Sequence, residues 1–222
     1  MGTTVGGVGV LDKAVEVLDA LEVRPLSLSE LVVATGLPRA TAHRLATALE
    51  RHGLVRRDGD GRFILGTRLL ALGRAAAETW PMATAASVPL ATLRDETGES
   101  VQLFVRDGDE RVCIAALQSL HGLRTIVPLG ARLPLSAGSA ARALLASPDD
   151  RESWVESVGE REAGVASVSA PVRDGGGQVV AAVSVSGPIE RTTRQPGKRY
   201  GSFVVSAARE IESIAGLRSD AL

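Results

Sequence analysis

Apolar residues recur three times before residue 50 at the three-to-four spacing of an amphipathic helix, and then give way to alternation. Val10, Ala14, Val17, Leu18 and Leu21 share one stripe and predict a first helix over 10–21, closed by Arg24-Pro25. Leu28, Leu31 and Val32 begin a second. Ser27 followed three residues later by Glu30 is the pairing in which a hydroxyl and a carboxylate each satisfy an orphan backbone N–H at a helix start. Gly36 predicts the stop, because a left-handed residue there costs glycine little, and Pro38 suits the first turn of the next helix, where no N–H is missed. In that third helix Ala42, Leu45, Ala46 and Leu49 take the inner face and leave Arg39, Thr41, His43, Arg44 and Thr47 outside. Beyond His52-Gly53, Val55, Phe63 and Ile64 read as strand positions around an Asp58-Gly59-Asp60-Gly61 turn, with Arg56, Arg57 and Arg62 beside them. Two short helices meeting at a Gly-Leu-Pro turn and followed by an Arg-flanked ribbon predict a winged helix-turn-helix domain over 1–65.

The pattern then changes twice. Residues 66–81 continue as an Ala- and Leu-rich linker helix that Pro81 stops or bends, and its leftover apolar face suits packing against a second copy. From residue 82 onward a helix over Ala83–Thr97, stopped by Gly98, leads into short alternating strands. Residues 100–106 and 111–117 alternate on either side of Asp107-Gly108, a hairpin signal, and 124–127 predicts a further strand. LPLSAGSAARALLA reads as a strand end, a small-residue turn and a helix; GVASVSAPV and QVVAAVSVSGPI are strong strands joined by Asp174-Gly175-Gly176-Gly177. A last helix over Phe203–Leu217 packs outside. A mostly antiparallel sheet flanked by helices makes 82–222 a second domain, and the chain α+β.

Length and charge narrow the picture. The 222 residues suffice for two modest domains, each with its own core. A net charge of −1 gives no global sign of nucleic-acid binding, but between Arg39 and Arg68 seven arginines stand against Glu50, Asp58 and Asp60. A local basic patch is the relevant electrostatic footprint. Lys13 and Lys198 are the only lysines, an arginine preference that a GC-rich genome explains. The single cysteine, Cys113, excludes an internal disulfide and a Cys-rich zinc site, and its apolar strand makes it a buried small hydrophobe. With three histidines, two of them inside the helix-turn-helix, and no metal-ligand spacing, no metal or cofactor is expected. The Gly-rich start, residues 1–9, reads as frayed; its GGVGVLDK lacks the preceding strand and GK[ST] of a phosphate loop. Neither a signal peptide nor an apolar span of bilayer length is present, so the expected location is cytoplasmic, with no membrane partner.

Two sites follow from residue chemistry. Arg39, Thr41, His43, Arg44 and Thr47 on the outer face of a second helix suit base edges in the major groove, where Arg bonds guanine bidentately, while Arg56, Arg57 and Arg62 suit phosphate or minor groove. Each of these arginines alone would equally suit a solvated face; the spacing of the whole set carries the reading. In the second domain, Ser136-Ala137-Gly138-Ser139-Ala140 opens a helix with backbone N–H groups free for a small anion such as a carboxylate. Ser167 with Ser169, and Ser184 with Ser186, stand at period two, so each pair shares one face of its strand and the hydroxyls converge on a ligand. A serine on a sheet face also serves simply to pack small and bond to backbone.

These residues carry a resemblance. ELVVATGLPRATAHRLATALERHGLVRRD and the following DGRFILG, with LSAGSAARALLA, GEREAGVASVSAPV and VAAVSVSGPIER, resemble the IclR family of transcriptional regulators over nearly the whole chain. VGVLDKA, GEREAGVASVSAPVR and VVAAVSVSGPIERTTR are similar to the actinobacterial NdgR/LtbR-type members, associated with leucine and other amino-acid biosynthesis genes. The resemblance implies a homodimer or dimer of dimers, a winged helix-turn-helix and a GAF-like effector-binding domain. It implies that Ser139, Ala140, Ser157, Ser167, Ser184 and Ser186 bind an effector that is an amino acid or another small carboxylate. One segment departs from the family pattern: between Ala146 and Trp154 a longer helix and a basic strand are replaced by SPDDRES.

Two function classes remain at this stage. One is a ligand-responsive repressor or activator on palindromic promoter double-stranded DNA, not an enzyme. The other is a small-carboxylate enzyme tethered by its helix-turn-helix, for which Glu160 and Glu162 are the nearest candidate carboxylate pair, although GERE reads more simply as a solvated turn.

Overall fold

The computed structural model describes residues 9–78, 80–147 and 153–217, so the first eight residues and most of the short segment that follows Ala146 lie outside it. The chain divides into two compact units, 1–76 and 77–222, each with a core of its own.

In the first unit, α1 (Gly9–Val23) buries Val17 and Leu21, α2 (Leu28–Thr35) buries Leu31, and α3 (Arg39–Arg51) buries Ala42, Leu45, Ala46 and Leu49. The Ser27 hydroxyl accepts the Glu30 N–H at 3.3 Å while the Glu30 carboxylate accepts the Ser27 N–H at 2.8 Å, and Gly36 ends α2 at φ 67°. Strands β1 (Val55–Arg57) and β2 (Phe63–Leu65) pair antiparallel, and Leu26 adds a rung by exchanging backbone bonds of 3.0 and 2.8 Å with Phe63. That rung ties the wing to the start of α2. Phe63, 1% exposed, fastens the ribbon into the helical core. A Cβ at Gly66 would collide with the backbone of Gly53 and Leu54, so only glycine lets the chain leave the wing this close to the end of α3. Helix α4 (Arg68–Glu78) follows; none of its described side chains is buried, and Leu70 and Leu72 face outward.

The second unit opens with α5 (Pro81–Ala85) and α6 (Ser87–Thr97). The single helix expected over 83–97 is thus two, divided at Ala86, and Pro81 starts a helix where the sequence reading had it end or bend one: a missing N–H is tolerated in a first turn. Strands β3 (Ser100–Asp107), β4 (Glu110–Leu117), β5 (Arg132–Pro134), β6 (Val155–Val158), β7 (Val165–Arg173) and β8 (Val179–Pro188) form one antiparallel sheet in the order β5-β4-β3-β8-β7-β6. The strand expected at 124–127 is irregular backbone instead, and the edge position is taken by β5, whose register is set by Val112 opposite Arg132. Between β5 and β6 lies α7 (Ser139–Leu144); after β8 come α8 (Ile189–Thr192) and α9 (Pro196–Ile214). Helix α9 starts earlier than expected because Pro196 occupies its first turn.

Alternation gives the sheet two unlike faces. Val101, Leu103 and Val105 on β3, Val168, Ala170 and Val172 on β7, and Ala181, Val183 and Val185 on β8 are buried in a single apolar layer with Leu90 and Leu93 of α6 and Tyr200, Val204 and Ile211 of α9. Full burial of each large side chain here is worth roughly 1.5–3 kcal/mol. The intervening positions mix two polar rows with a small apolar cluster of Phe104, Cys113 and Ala182. Ser100, Ser186, Ser167 and Ser157 stand opposite one another across four strands, and Gln102, Ser184 and Ser169 form the next row. Trp154 closes the β6 edge against α9, where Gly197 and Gly201 leave room for its ring: a Cβ at Gly201 would lie 2.7 Å from the indole nitrogen, and one at Gly197 would enter the ring itself.

Candidate functional site

The outer face of α3 is the first candidate. With its apolar stripe buried, the helix leaves Arg39, His43 and Arg44 exposed and Thr41 and Thr47 half-exposed. Arg39 donates to the Ser29 hydroxyl at 3.2 Å, whereas His43 and Arg44 have no partner among the described residues. The wing arginines differ from one another. Arg57 lies over the Phe63 ring with its guanidinium carbon 4.1 Å from the centroid, donates to the Gly61 carbonyl at 3.1 Å and faces Glu50 at 3.5 Å. It holds the ribbon in shape. Arg62 stands 3.5 Å from Glu30, which also carries the α2 cap and Arg24, and Arg56 is exposed without a partner among the described residues. Asp58 organises the wing tip, its carboxylate accepting the N–H groups of Asp60 at 3.0 Å and Arg62 at 2.9 Å.

The second candidate is a cavity on the polar face of the sheet, about 430 Å³ including its open mouth and narrow inside. All six residues that the sequence reading proposed for an effector, Ser139, Ala140, Ser157, Ser167, Ser184 and Ser186, line it. The Ser139 hydroxyl lies 2.7 Å from that of Ser167 and 2.8 Å from that of Ser169, Ser169 donates to Ser184 at 2.9 Å, and Ser186 donates to the Gln102 carbonyl oxygen at 3.2 Å. The expected period-two convergence is therefore a connected hydroxyl floor. Ser157 belongs to β6, an edge strand the sequence reading did not anticipate, and is buried opposite Ser167. Cys113 is buried near this floor, and burial pushes its thiol up to about 11, so it is an inert hydrophobe at neutral pH.

One expectation is corrected by the structure. The small-residue turn does not present a free first amide: Gly138, at φ 95°, donates its N–H to the Glu160 carboxylate at 3.1 Å, and both oxygens of that carboxylate are held by Arg142 at 2.8 Å. Arg142, and then the Gly138 amide, keep Glu160 below the usual carboxylate range. The GERE block is thus a clasp on the start of α7. Glu160 and Glu162, for which the sequence favours a turn over an acid–base pair, are each ion-paired: Arg142 takes the first and Arg161 stands 3.4 Å from the second. Sequence reasoning missed Gln102, Phe104, Arg111, Val127, Leu133, Arg161 and Val165 as parts of the cavity wall, which Glu162 also lines. Gln102 carries a signal, being a polar residue inside a strongly apolar alternating run; Arg111, at the charged end of the hairpin turn, carries none.

Comparison with known proteins gives these two sites their context. The family model described as the IclR helix-turn-helix domain matches residues 10–59, and that described as the bacterial transcriptional regulator IclR C-terminal matches 74–154 and 150–213. The chain belongs to the IclR family of transcriptional regulators, DNA-binding proteins and not enzymes. The C-terminal match comes in two pieces that overlap at 150–154. The transcriptional repressor IclR of Escherichia coli is 27% identical over 223 residues, covering 84% of this chain and 81% of its own. KipR of Bacillus subtilis is 36% identical over 120 residues, 54% of this chain and about half, 48%, of KipR. Among solved structures, an IclR homologue from Microbacterium hydrocarbonoxydans complexed with 4-hydroxybenzoate superposes at TM-score 0.79 with 21% identity, covering 93% of this chain and 99% of that one. Among the described residues no helix is long and apolar enough to cross a membrane.

Proposed function

We propose that this regulator binds palindromic promoter DNA as a homodimer or dimer of dimers and changes its DNA affinity when a small carboxylate occupies the serine-floored cavity. Arg39, Thr41, His43, Arg44 and Thr47 meet base edges in this reading, and Arg62, with Arg56, meets phosphate; Arg57 shapes the wing that presents them. The observation that carries the DNA half is the clean division of α3, whose apolar stripe is buried and whose cationic side is left exposed. The effector half is supported by the convergence of Ser139, Ala140, Ser157, Ser167, Ser184 and Ser186 on one cavity, and by the presence of 4-hydroxybenzoate on a protein of the same fold. The NdgR/LtbR-type sequence blocks support target genes in amino-acid, chiefly leucine or branched-chain, biosynthesis, and an effector drawn from amino acids or their keto-acid precursors. Coupling requires only that the acid bind one dimer arrangement better than the other.

Fluorescence anisotropy with the chain's own upstream DNA and a scrambled duplex, with and without a panel of amino and 2-keto acids, tests this. The expected result is at least ~10³-fold preference for the native duplex, altered by one acid. Equal weak binding to both duplexes at physiological salt sinks the proposal.

A further inference from the structure

Arg111 is the one lining residue whose charge the protein leaves unanswered among those described. It sits on β4, on the same sheet face as Cys113 and the serine rows, and only 3% of it is exposed. One guanidinium nitrogen donates to the Pro134 carbonyl, but Nε is buried with no partner, and no acidic side chain pairs with it among the described residues. Two of the three acids of its own hairpin are taken, Arg132 holding Asp107 at 2.9 Å and Glu110 at 2.6 Å, and among the described residues the third, Asp109, makes no ion pair with Arg111. Its cross-strand neighbour is another cation, Arg106, and Arg161 at the cavity mouth adds repulsion. Burial first and Arg161 second push it down to about 10, which still leaves it charged at neutral pH. A buried cation without an acid is costly to keep unless something else supplies the negative charge.

Its position shows what that is. Nη2 lies 3.4 Å from where a Cβ on Gly138 would stand, so the guanidinium overlooks the small-residue turn, and its carbon sits 5.6 Å from the Phe104 centroid. The turn's first amide, the other obvious anion site, is filled by Glu160. We propose that Arg111 reads the effector's charge: the ligand's carboxylate docks on this guanidinium, and its keto or hydroxyl oxygen lies over Gln102, Ser184 and Ser186. The inference rests on the effector-cavity reading above and sharpens it. The ligand class becomes an organic acid of net negative charge, and a zwitterionic amino acid binds less well, because its ammonium enters the field of Arg111 and Arg161 while Glu162 already faces Arg161.

The test uses the full chain, calorimetric titration and thermal melting, with pyruvate, 4-methyl-2-oxopentanoate, leucine, 4-hydroxybenzoate and 4-hydroxybenzamide as probes. At least one acid is expected to bind the wild type, ~10-fold or more tighter than its uncharged or zwitterionic counterpart. Arg111→Gln should weaken that acid roughly 10- to 100-fold, the range of a lost charged hydrogen bond, without weakening the amide. Arg111→Lys should recover part of the loss. Arg111→Met, which removes the uncompensated charge, should leave the ligand-free melting temperature unchanged or raised while abolishing the acid-induced shift. An acid bound equally by wild type and Arg111→Gln, or no preference for acid over amide, overturns the assignment of Arg111 alone. A lowered melting temperature in Arg111→Met with equal loss of acid and amide makes the residue structural and overturns it too. Should none of the acids bind the wild type, the effector cavity itself is refuted.

Discussion

Glu160 and Arg111 mark where residue-level reading of the sequence stops. The serines were legible because period two is a property of the backbone: once β7 and β8 are strands, Ser167, Ser169, Ser184 and Ser186 must share a face. What stands opposite that face is tertiary. Nothing local to GERE says that Glu160 reaches the Gly138 amide 22 residues away, or that Arg111 is buried rather than solvated. On the DNA side the residues separate by what they are free to do. Arg44 has no partner among the described residues, while Arg62 stands at the wing beside Glu30. Arg44→Ala is therefore expected to cost about 1–3 kcal/mol at one base pair of the operator and to relax preference there. Arg62→Ala should weaken specific and random duplexes alike and shallow the dependence of log affinity on log salt by about one contact. Anisotropy titrations on an operator, its single-base variants and random DNA over a range of salt separate the two; equal effects of both substitutions on random DNA would remove α3 from the base-reading role.

Elements with local signals were read well, and those held by distant contacts were not. The Ser27–Glu30 box, Gly36 and Pro38 each act within one turn of helix, and α2 and α3 lie where these residues put them. By contrast β5 and β6 are three and four residues long, sit at the sheet edges and have no sustained alternation to announce them. Loss of the cap tests the first kind of element. Ser27→Ala should destabilise the chain by about 1 kcal/mol in urea unfolding, and lower DNA affinity by loosening the helix that carries Ser29, the partner of Arg39. The same cap responds to acid. Ser27's backbone and side-chain bonds, then Arg24, hold the Glu30 carboxyl at about 2 against an ordinary 4.5, so the unfolded chain takes up this proton more readily. The cap's contribution is whole above about pH 4.5 and is lost as pH falls toward 2; in Ser27→Ala that part of the stability profile should flatten. Gly197 tests an element fixed by packing. Helix propensity alone predicts that Gly197→Ala gains up to ~1 kcal/mol, but the new Cβ enters the Trp154 ring, and overpacking of that kind costs about 1–3 kcal/mol. Because the new Cβ would overlap several ring atoms of a side chain that packs against the core, the net effect should be a lower urea midpoint; a raised midpoint would show that the half-buried Trp154 yields freely.

At the scale of the whole molecule, the switch from helical to alternating hydrophobicity is what separates two units in the sequence, and the structure has two cores accordingly. Charge behaves differently. A chain of net charge −1 is not drawn to DNA as a body, so attraction must come from the arginine-rich stretch between Arg39 and Arg68. One such patch makes few phosphate contacts, and in the proposed dimer specific affinity for a promoter depends on two of them acting together. That is a geometric demand as well as an energetic one. Two recognition helices related by a twofold axis meet half-sites about 34–36 Å apart, or at multiples of one helical turn. Inserting about five base pairs at the centre of the operator turns one half-site to the far side of the duplex, and affinity should fall toward that of a single half-site; inserting about ten should recover much of it. The salt slope should follow the same course, roughly halving in the five-base-pair variant as half the phosphate contacts are lost. Retention of full affinity and full slope at every spacing would mean that each copy reads DNA alone, and the exposed Leu70 and Leu72 of α4 would then need another explanation than contact with a second copy.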